Sequence, residues 1–297
     1  MLLNSKNRID NKIKKTFSEK IIENVTLDNL DYFGINISSD PKQDFDFKIY
    51  YRNKYSRELY SASSTKIPIV DFLLENKLGN FLTIVHDKKH TDCSRYDVGL
   101  GTRSNGNMGA VVSYLERNCI FFEKYREEIL NLAQMKCYEK ENMDYSAFYF
   151  VALLNSGGNE ILKCHWQNRV YDFETEFFKN EYFLDYLENS NIEGFKPILP
   201  LAKKIIKNCN ANMFMEGIDY SNDSPSKHKI YLTDSRKPYK GLIGTYKNVP
   251  QMQKRITTIK NWNNIHKELY CDCFAIGQDS NKNLTINFYF RCKRKRG

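Results

Sequence analysis

Five short stretches of this 297-residue chain repeat one arrangement of reactive side chains. Lys48 and Tyr50, Arg95 and Asp97, Lys163 and His165, Lys229 and Tyr231, and Tyr289 and Arg291 each stand two residues apart. In an extended strand side chains alternate between faces, so the members of each pair share a face. Their neighbours are mostly apolar: Phe47, Ile49 and Tyr51 beside the first pair, Leu162, Cys164 and Trp166 beside the third, Ile230 and Leu232 beside the fourth. A cation next to a phenol or an imidazole on one strand face suits water or an anion. Repeated five times, the pattern suits a multiply charged anion such as a diphosphate, to which Lys and Arg offer charge and Tyr and His offer hydrogen bonds.

The stretches between them carry turn signals. MFMEGIDY and HKIYLTD flank a loop rich in Ser, Asn, Asp and Pro, the pattern of a hairpin with a longer loop. NSGGN, whose residues tolerate positive φ, joins YSAFYFVALL to EILKCHWQN. DKKHTDC joins FLTIVH to SRYDVGLGTR, QDSNKN joins CFAIG to LTINFYFR, and SSDPKQD leads from a strand over 32–37 to DFKIYYR. Helical spacing appears over 6–25, 66–78, 110–136, 174–189, 198–209 and about 251–267. The order helix, strand, strand, helix thus recurs five times, with no composition break between units. The spacing predicts an α+β fold and one domain over 1–297: an antiparallel barrel of about ten strands inside a ring of helices, closed because closure removes edges. Helices cover the apolar face, so the polar face lines the lumen. Buried unpaired charge is costly, and such a lumen calls for an occupant that pairs with its cations. The alternative is an open sheet whose basic, aromatic face meets RNA or single-stranded nucleic acid.

Composition excludes several other classes. The eight cysteines, at 93, 119, 137, 164, 209, 271, 273 and 292, include no CxxC pair and no zinc spacing, and read as reduced packing residues. MLLNSKNRIDNKIKK is charged too early for a signal peptide, and no run approaches the roughly 18 apolar residues of a membrane span. A cytoplasmic monomer without a membrane partner is expected. The formal charge of +9 allows nucleic acid, an acidic surface or a phosphorylated small molecule, and part of it lies in the tail RCKRKRG, which reads as a solvated end. GLGTRSNGNMG is glycine-rich but matches neither GxGxxG nor GxxxxGK[ST], so it reads as a strand-to-helix connection. No clustered carboxylate pair with a lysine supports a nuclease.

GIDYSNDSPSKHKIYL resembles the hairpin of the αββα-barrel aromatic prenyltransferases in which Lys-x-Tyr holds an isoprenoid diphosphate. SRYDVGLG, NEILKCHWQN and FAIGQDSNKNLTINFYFR resemble further hairpins of that family, and in size and in the LKCH-like strand the cyanobactin peptide prenyltransferases are nearest. The match begins at 81–103, which leaves the hairpin over 31–53 as an extra one and the family's last hairpin without a counterpart after Arg291: either 31–53 closes the barrel instead or the match is shifted by one unit. The resemblance implies transfer of a dimethylallyl or geranyl group from its diphosphate to an aromatic or other nucleophilic acceptor, a small molecule or a peptide side chain; nucleic acid is then an unlikely partner. It implies diphosphate binding by Lys48, Arg95, Lys163, His165, Lys229, Tyr231, Tyr289 and Arg291, joined by Arg52. Tyr50, Tyr231 and Tyr289 would shield the allylic cation, at about 0.5–2 kcal/mol per ring. His86, Asp97, Glu216 and Asp219 are the candidate bases. The isoprenoid diphosphate is the co-substrate, and the reaction needs either no metal or Mg2+, for which Asp97 is the candidate ligand.

Overall fold

Each of the five strand pairs read from alternation is an antiparallel hairpin in the computed structural model of the chain. The structure describes residues 7–293 apart from 27, 65, 80, 89–94, 100–107, 138–147, 157–158, 168–170, 173–176, 179, 191, 223–225, 234–237 and 280. Most of the glycine-rich stretch and the end of the basic tail lie outside the described residues. The hairpins are β1 (Leu30–Ser38) with β2 (Asp46–Tyr51), β3 (Phe81–Asp87) with β4 (Arg95–Gly99), and β5 (Phe148–Ser156) with β6 (Asn159–Gln167). After a two-residue pair, β7 (Tyr171–Asp172) and β8 (Phe177–Phe178), follow β9 (Asn212–Ser221) with β10 (Lys227–Thr233) and β11 (Leu269–Gln278) with β12 (Leu284–Cys292).

The ring runs β1-β12-β11-β10-β9-β6-β5-β4-β3-β2 and closes where β1 pairs with both β2 and β12. The N-terminal hairpin therefore completes the barrel. The closed ring is not the open sheet that the nucleic-acid alternative assumed, so the structure does not favour that alternative. The seams differ in strength. Among the described residues β5 and β6 pair over eight positions, whereas β2–β3 pair over three and β4–β5 over two. Where β2 has ended, the helix α3 (Asn53–Ala62) takes over its role: Asn53 Oδ1 accepts from the Leu82 amide and Ser56 Oγ from the Ile84 amide.

The other helices are α1 (Arg8–Thr16), α2 (Glu19–Asn24), α4 (Pro68–Glu75), α5 (Met108–Asn118), α6 (Phe122–Cys137), α7 (Asn180–Asn189), α8 (Leu199–Cys209), α9 (Tyr239–Thr245) and α10 (Pro250–Ile265). Two differ from the spacing-based expectation by a break. The helix expected over 6–25 divides at Phe17 because Ser18 caps a new one, its hydroxyl accepting from the Ile21 amide. That expected over 110–136 divides at Cys119–Phe121, where Ile120 is left in solvent. The helix expected from 174 starts at 180, after β8.

The outward strand residues and the inner helix faces form one core; at α10, Trp262 packs its ring 5.6 Å from Phe33 of β1 and 5.1 Å from Phe290 of β12. Polar ties set the helices in place. Arg255 of α10, buried, donates to the carbonyls of Ser38, Asp40 and Gln43 and so clamps the β1–β2 turn. Asp10 of α1, fully buried, accepts from Trp262 Nε1 at 2.8 Å and from His266 Nε2 at 3.1 Å, and Glu268 meets His266 Nδ1 at 3.2 Å.

Candidate active site

The lumen is layered, and the layers follow from strand direction. All the hairpin turns lie at one end of the barrel, and the connections through helices lie at the other. On β2, β6 and β10 the order from the turn outward is Lys48 then Tyr50, Lys163 then His165, Lys229 then Tyr231; on β4 it is Arg95 then Asp97. Four cations thus face inward nearest the turns, and aromatic rings follow them. All eight of these residues line one cavity with Tyr289 of β12. Farther toward the helix-connected end that cavity is lined by Asp31, Tyr32, Phe81, Phe214, Met215 and Cys273.

The cations carry their own counter-ions. Arg95 makes a two-point bond to Asp97 at 3.0 and 2.8 Å and a third to Asp87 at 3.0 Å. Lys163 and Lys229 both donate to Asp219 Oδ2, at 2.7 and 2.6 Å. Among the described residues Lys48 has no carboxylate within ion-pair distance. Three of the four cations are therefore internally paired, and the expectation that only an occupant could compensate them is corrected. Burial lowers the Lys163 pKa to about 7, with Asp219 opposing the shift and Lys229 and Arg95 reinforcing it. Asp219 is itself buried, but Lys163 and Lys229 hold its carboxyl well below the usual range.

The next layer is aromatic. Tyr289 sits with ring centroids 5.9 Å from both Tyr50 and Tyr231, and its hydroxyl interacts with theirs. His165 Nε2 lies 2.8 Å from the Tyr231 hydroxyl. Its ring rests on Gly217 of β9: a methyl group there would stand 2.4 Å from ring atoms Cδ2 and Nε2, so the close approach requires glycine. Burial, then Lys229, with Lys163 and Arg95 adding to it and Asp219 opposing, pushes the His165 pKa well below its ordinary value.

The barrel separates the sequence-derived candidates. Lys48, Tyr50, Arg95, Asp97, Lys163, His165, Lys229, Tyr231 and Tyr289 come together in the lumen, and Asp219 joins them through its lysines. His86 does not. It shares the outward parity of Leu82 and Ile84, pairs with Ile49, and packs its ring edge-on to Tyr51 at 5.3 Å. Glu216 is outward as well, level with Trp166 and Ile230 and fully buried. Neither reaches the lumen as a base. Asp97 and Asp219 reach it as counter-ions, engaged by Arg95 and by the two lysines. Because both Asp97 oxygens engage Arg95, a metal ligand role there does not fit, and among the described residues no group of three His, Cys, Asp or Glu could hold a metal ion.

Arg291 is displaced from the other cations. On β12 the order is reversed, tyrosine before arginine, so Arg291 falls beyond the aromatic layer. There it pairs with Asp31 at 3.2 Å and Asp272 at 3.7 Å and lies 4.5 Å over the Tyr32 ring, while Tyr32 donates to Asp272. Arg52 is spent on the Leu30 carbonyl. Of the lumen residues that the pairwise pattern missed, Asp87 and Thr83 follow the inward parity of β3 and were readable from it. Asp31 and Phe214 were not: each is the extra residue of a bulge, where alternation fails. Further register shifts occur between Cys271 and Cys273 and between Phe148 and Phe150, and all four lie at the helix-connected end.

No family model matches the chain, and no curated protein matches it by sequence. Solved structures do match in three dimensions. AnaPT from Neosartorya fischeri aligns over 89% of this chain and 78% of its own, with 9% identity and a TM-score of 0.59. The prenyltransferase NotF in complex with brevianamide F and DMSPP aligns over 90% and 81%, with 10% identity and a TM-score of 0.58. The prenyltransferase PriB in its ternary complex with L-tryptophan and dimethylallyl thiolodiphosphate aligns over 89% and 82%, with 9% identity and a TM-score of 0.52. The chain has the αββα-barrel fold of the aromatic prenyltransferases. Among the described residues no helix is long and apolar enough to cross a membrane.

Proposed function

We propose that the protein is a prenyltransferase that moves a dimethylallyl group from its diphosphate to an aromatic acceptor. One observation carries the reading: a ring of cations and a ring of tyrosines are stacked directly on each other in a closed barrel. Ionisation of an allylic diphosphate makes two charges of opposite sign a few ångströms apart, and the two layers answer them in that order. Lys48, Arg95, Lys163 and Lys229 stabilise negative charge growing on the leaving diphosphate. Tyr50, Tyr231 and Tyr289 cover the allylic cation with ring faces and keep water from it. The helix-connected end, where Phe81, Phe214 and Met215 line the cavity, receives the acceptor. The internal carboxylates have a part in this scheme. They hold Arg95, Lys163 and Lys229 in place, so that little reorganisation remains when the anion arrives.

Support comes from NotF and PriB, structures of this fold described with a dimethylallyl diphosphate analogue and an indole-bearing acceptor. Geranyl diphosphate as donor and peptide side chains as acceptors belong to the same proposal as extensions. The test is incubation with dimethylallyl diphosphate and a panel of indole, L-tryptophan, L-tyrosine and tryptophan-containing peptides, with calorimetric titration of dimethylallyl thiolodiphosphate. Alkylated product and saturable binding are expected. Absence of binding at millimolar analogue sinks the reading.

A further inference from the structure

Alkylation of an aromatic carbon leaves a proton to be removed, and the lumen is short of groups able to take it. His86 and Glu216 face away from it; Asp97 and Asp219 are held by Arg95 and by two lysines. Among the described lumen residues the lysines stand in the cation layer that would hold the diphosphate, and the nitrogen base within the aromatic layer is His165. It faces inward from β6, is 2% exposed, and reaches the Tyr231 hydroxyl at 2.8 Å from Nε2. Tyr231 in turn abuts Tyr289, inside the layer that would cover the allylic cation. The seat of the ring is built for it, since Gly217 gives up a side chain to admit it.

From this geometry, and resting on the prenyltransferase reading, we infer that His165 is the terminal acceptor of the acceptor's proton, taking it through the Tyr231 hydroxyl. The allylic C–O bond breaks and its electron pair leaves with the diphosphate. The acceptor ring spends a π pair on the new C–C bond and becomes an arenium ion. The C–H pair at the alkylated carbon restores the aromatic ring as that proton passes to the Tyr231 oxygen, while the Tyr231 proton passes to His165 Nε2. The products are the alkylated arene, diphosphate, a neutral phenol and an imidazolium that returns its proton to solvent.

The step requires an imidazole that is neutral beforehand. The charged groups around it favour that state: Lys163 on its own strand, Lys229 on β10 and Arg95 on β4 outnumber Asp219 on β9. A diphosphate in the cation layer then stabilises the imidazolium once it forms, which couples proton removal to the presence of the leaving group.

The test uses dimethylallyl diphosphate with tryptophan deuterated on the indole ring. In the wild type, ionisation precedes and limits, so the isotope effect on product formation stays near unity. In His165→Phe, kcat should fall about 10²-fold. A primary isotope effect should emerge, and dimethylallyl alcohol should gain on alkylated product because the cation still forms. Tyr231→Phe, which keeps the ring, should show the same isotope effect and guards against a folding failure of the first variant. Loss of rate in both variants without any isotope effect would reduce His165 to packing and overturn the inference, as would wild-type kinetics in either. Absence of alkylation by the wild type would instead remove the prenyltransferase reading itself.

Discussion

Two buried histidines in this molecule are driven in opposite directions. His165 inside the barrel has a phenol for a partner and three cations around it, and its pKa falls. His266, between barrel and helices, is also penalised by burial, but the carboxylates of Asp10 and Glu268 offset this and its pKa rises. The same side chain is pushed toward its neutral form in one place and toward its charged form in the other. Burial alone does not decide the outcome; the sign of the neighbours does. In the lumen cations disfavour the imidazolium, whereas in the shell carboxylates favour it where His266 joins α1 to the end of α10.

The comparison can be broken at each carboxylate. Asp219→Asn should have the largest effect, because it strands two buried lysines. A loss of about 3 kcal/mol in urea unfolding at pH 6 is expected, shrinking at pH 9 as the lysines give up their protons. Asp10→Ala should cost about 2 kcal/mol, since it leaves the Trp262 indole N–H and the His266 ring without their buried acceptor. Gly217→Ala should cost about 1–3 kcal/mol by overpacking against His165, and the ring signals of His165 should shift while those of His266 stay put.

The smallest effects are titrations of opposite sign, read by NMR of the two rings. A raised pKa for His266 means its contribution is fully present below the unfolded value, about 6.5, and is lost as pH rises through the folded value. A lowered pKa for His165 means the reverse: the unfolded chain takes a proton first, so stability falls as pH drops below about 6.5. Asp10→Asn should abolish the first slope and leave the second. If both histidines titrate together near 6.5, the contrast between lumen and shell does not exist.

Much of the architecture was legible in the chain. Strict alternation in DFKIYYR, LKCHWQ and HKIYLT placed the cations and rings on one face, and recurrence of the unit pointed to closure. The same parity already assigned His86 to the set of Leu82 and Ile84, and Glu216 to that of Ile218 and Tyr220; choosing them as bases went against the pattern. Other features depend on information that no single stretch holds. Asp219 lies 56 residues from Lys163 and meets it only because β6 and β9 pair in one register. The short helices α3 and α9 carry no side-chain N-cap, and α9 contains two glycines, so their local signals are weak. They form against the barrel they cover.

The four register shifts carry a consequence for how such a protein diversifies. Each adds one residue to one strand at the helix-connected rim, and among the described residues none lies near the turns, so the strands bend and twist most around the mouth. A bulge can be gained or lost by a single-codon insertion or deletion, with the ladder on either side keeping its register. The shape of the mouth can therefore change while the cation layer beneath it keeps its register. Asp31, Phe214 and Asp272 are the extra residues at three of these shifts, and length variation there would reshape the mouth first.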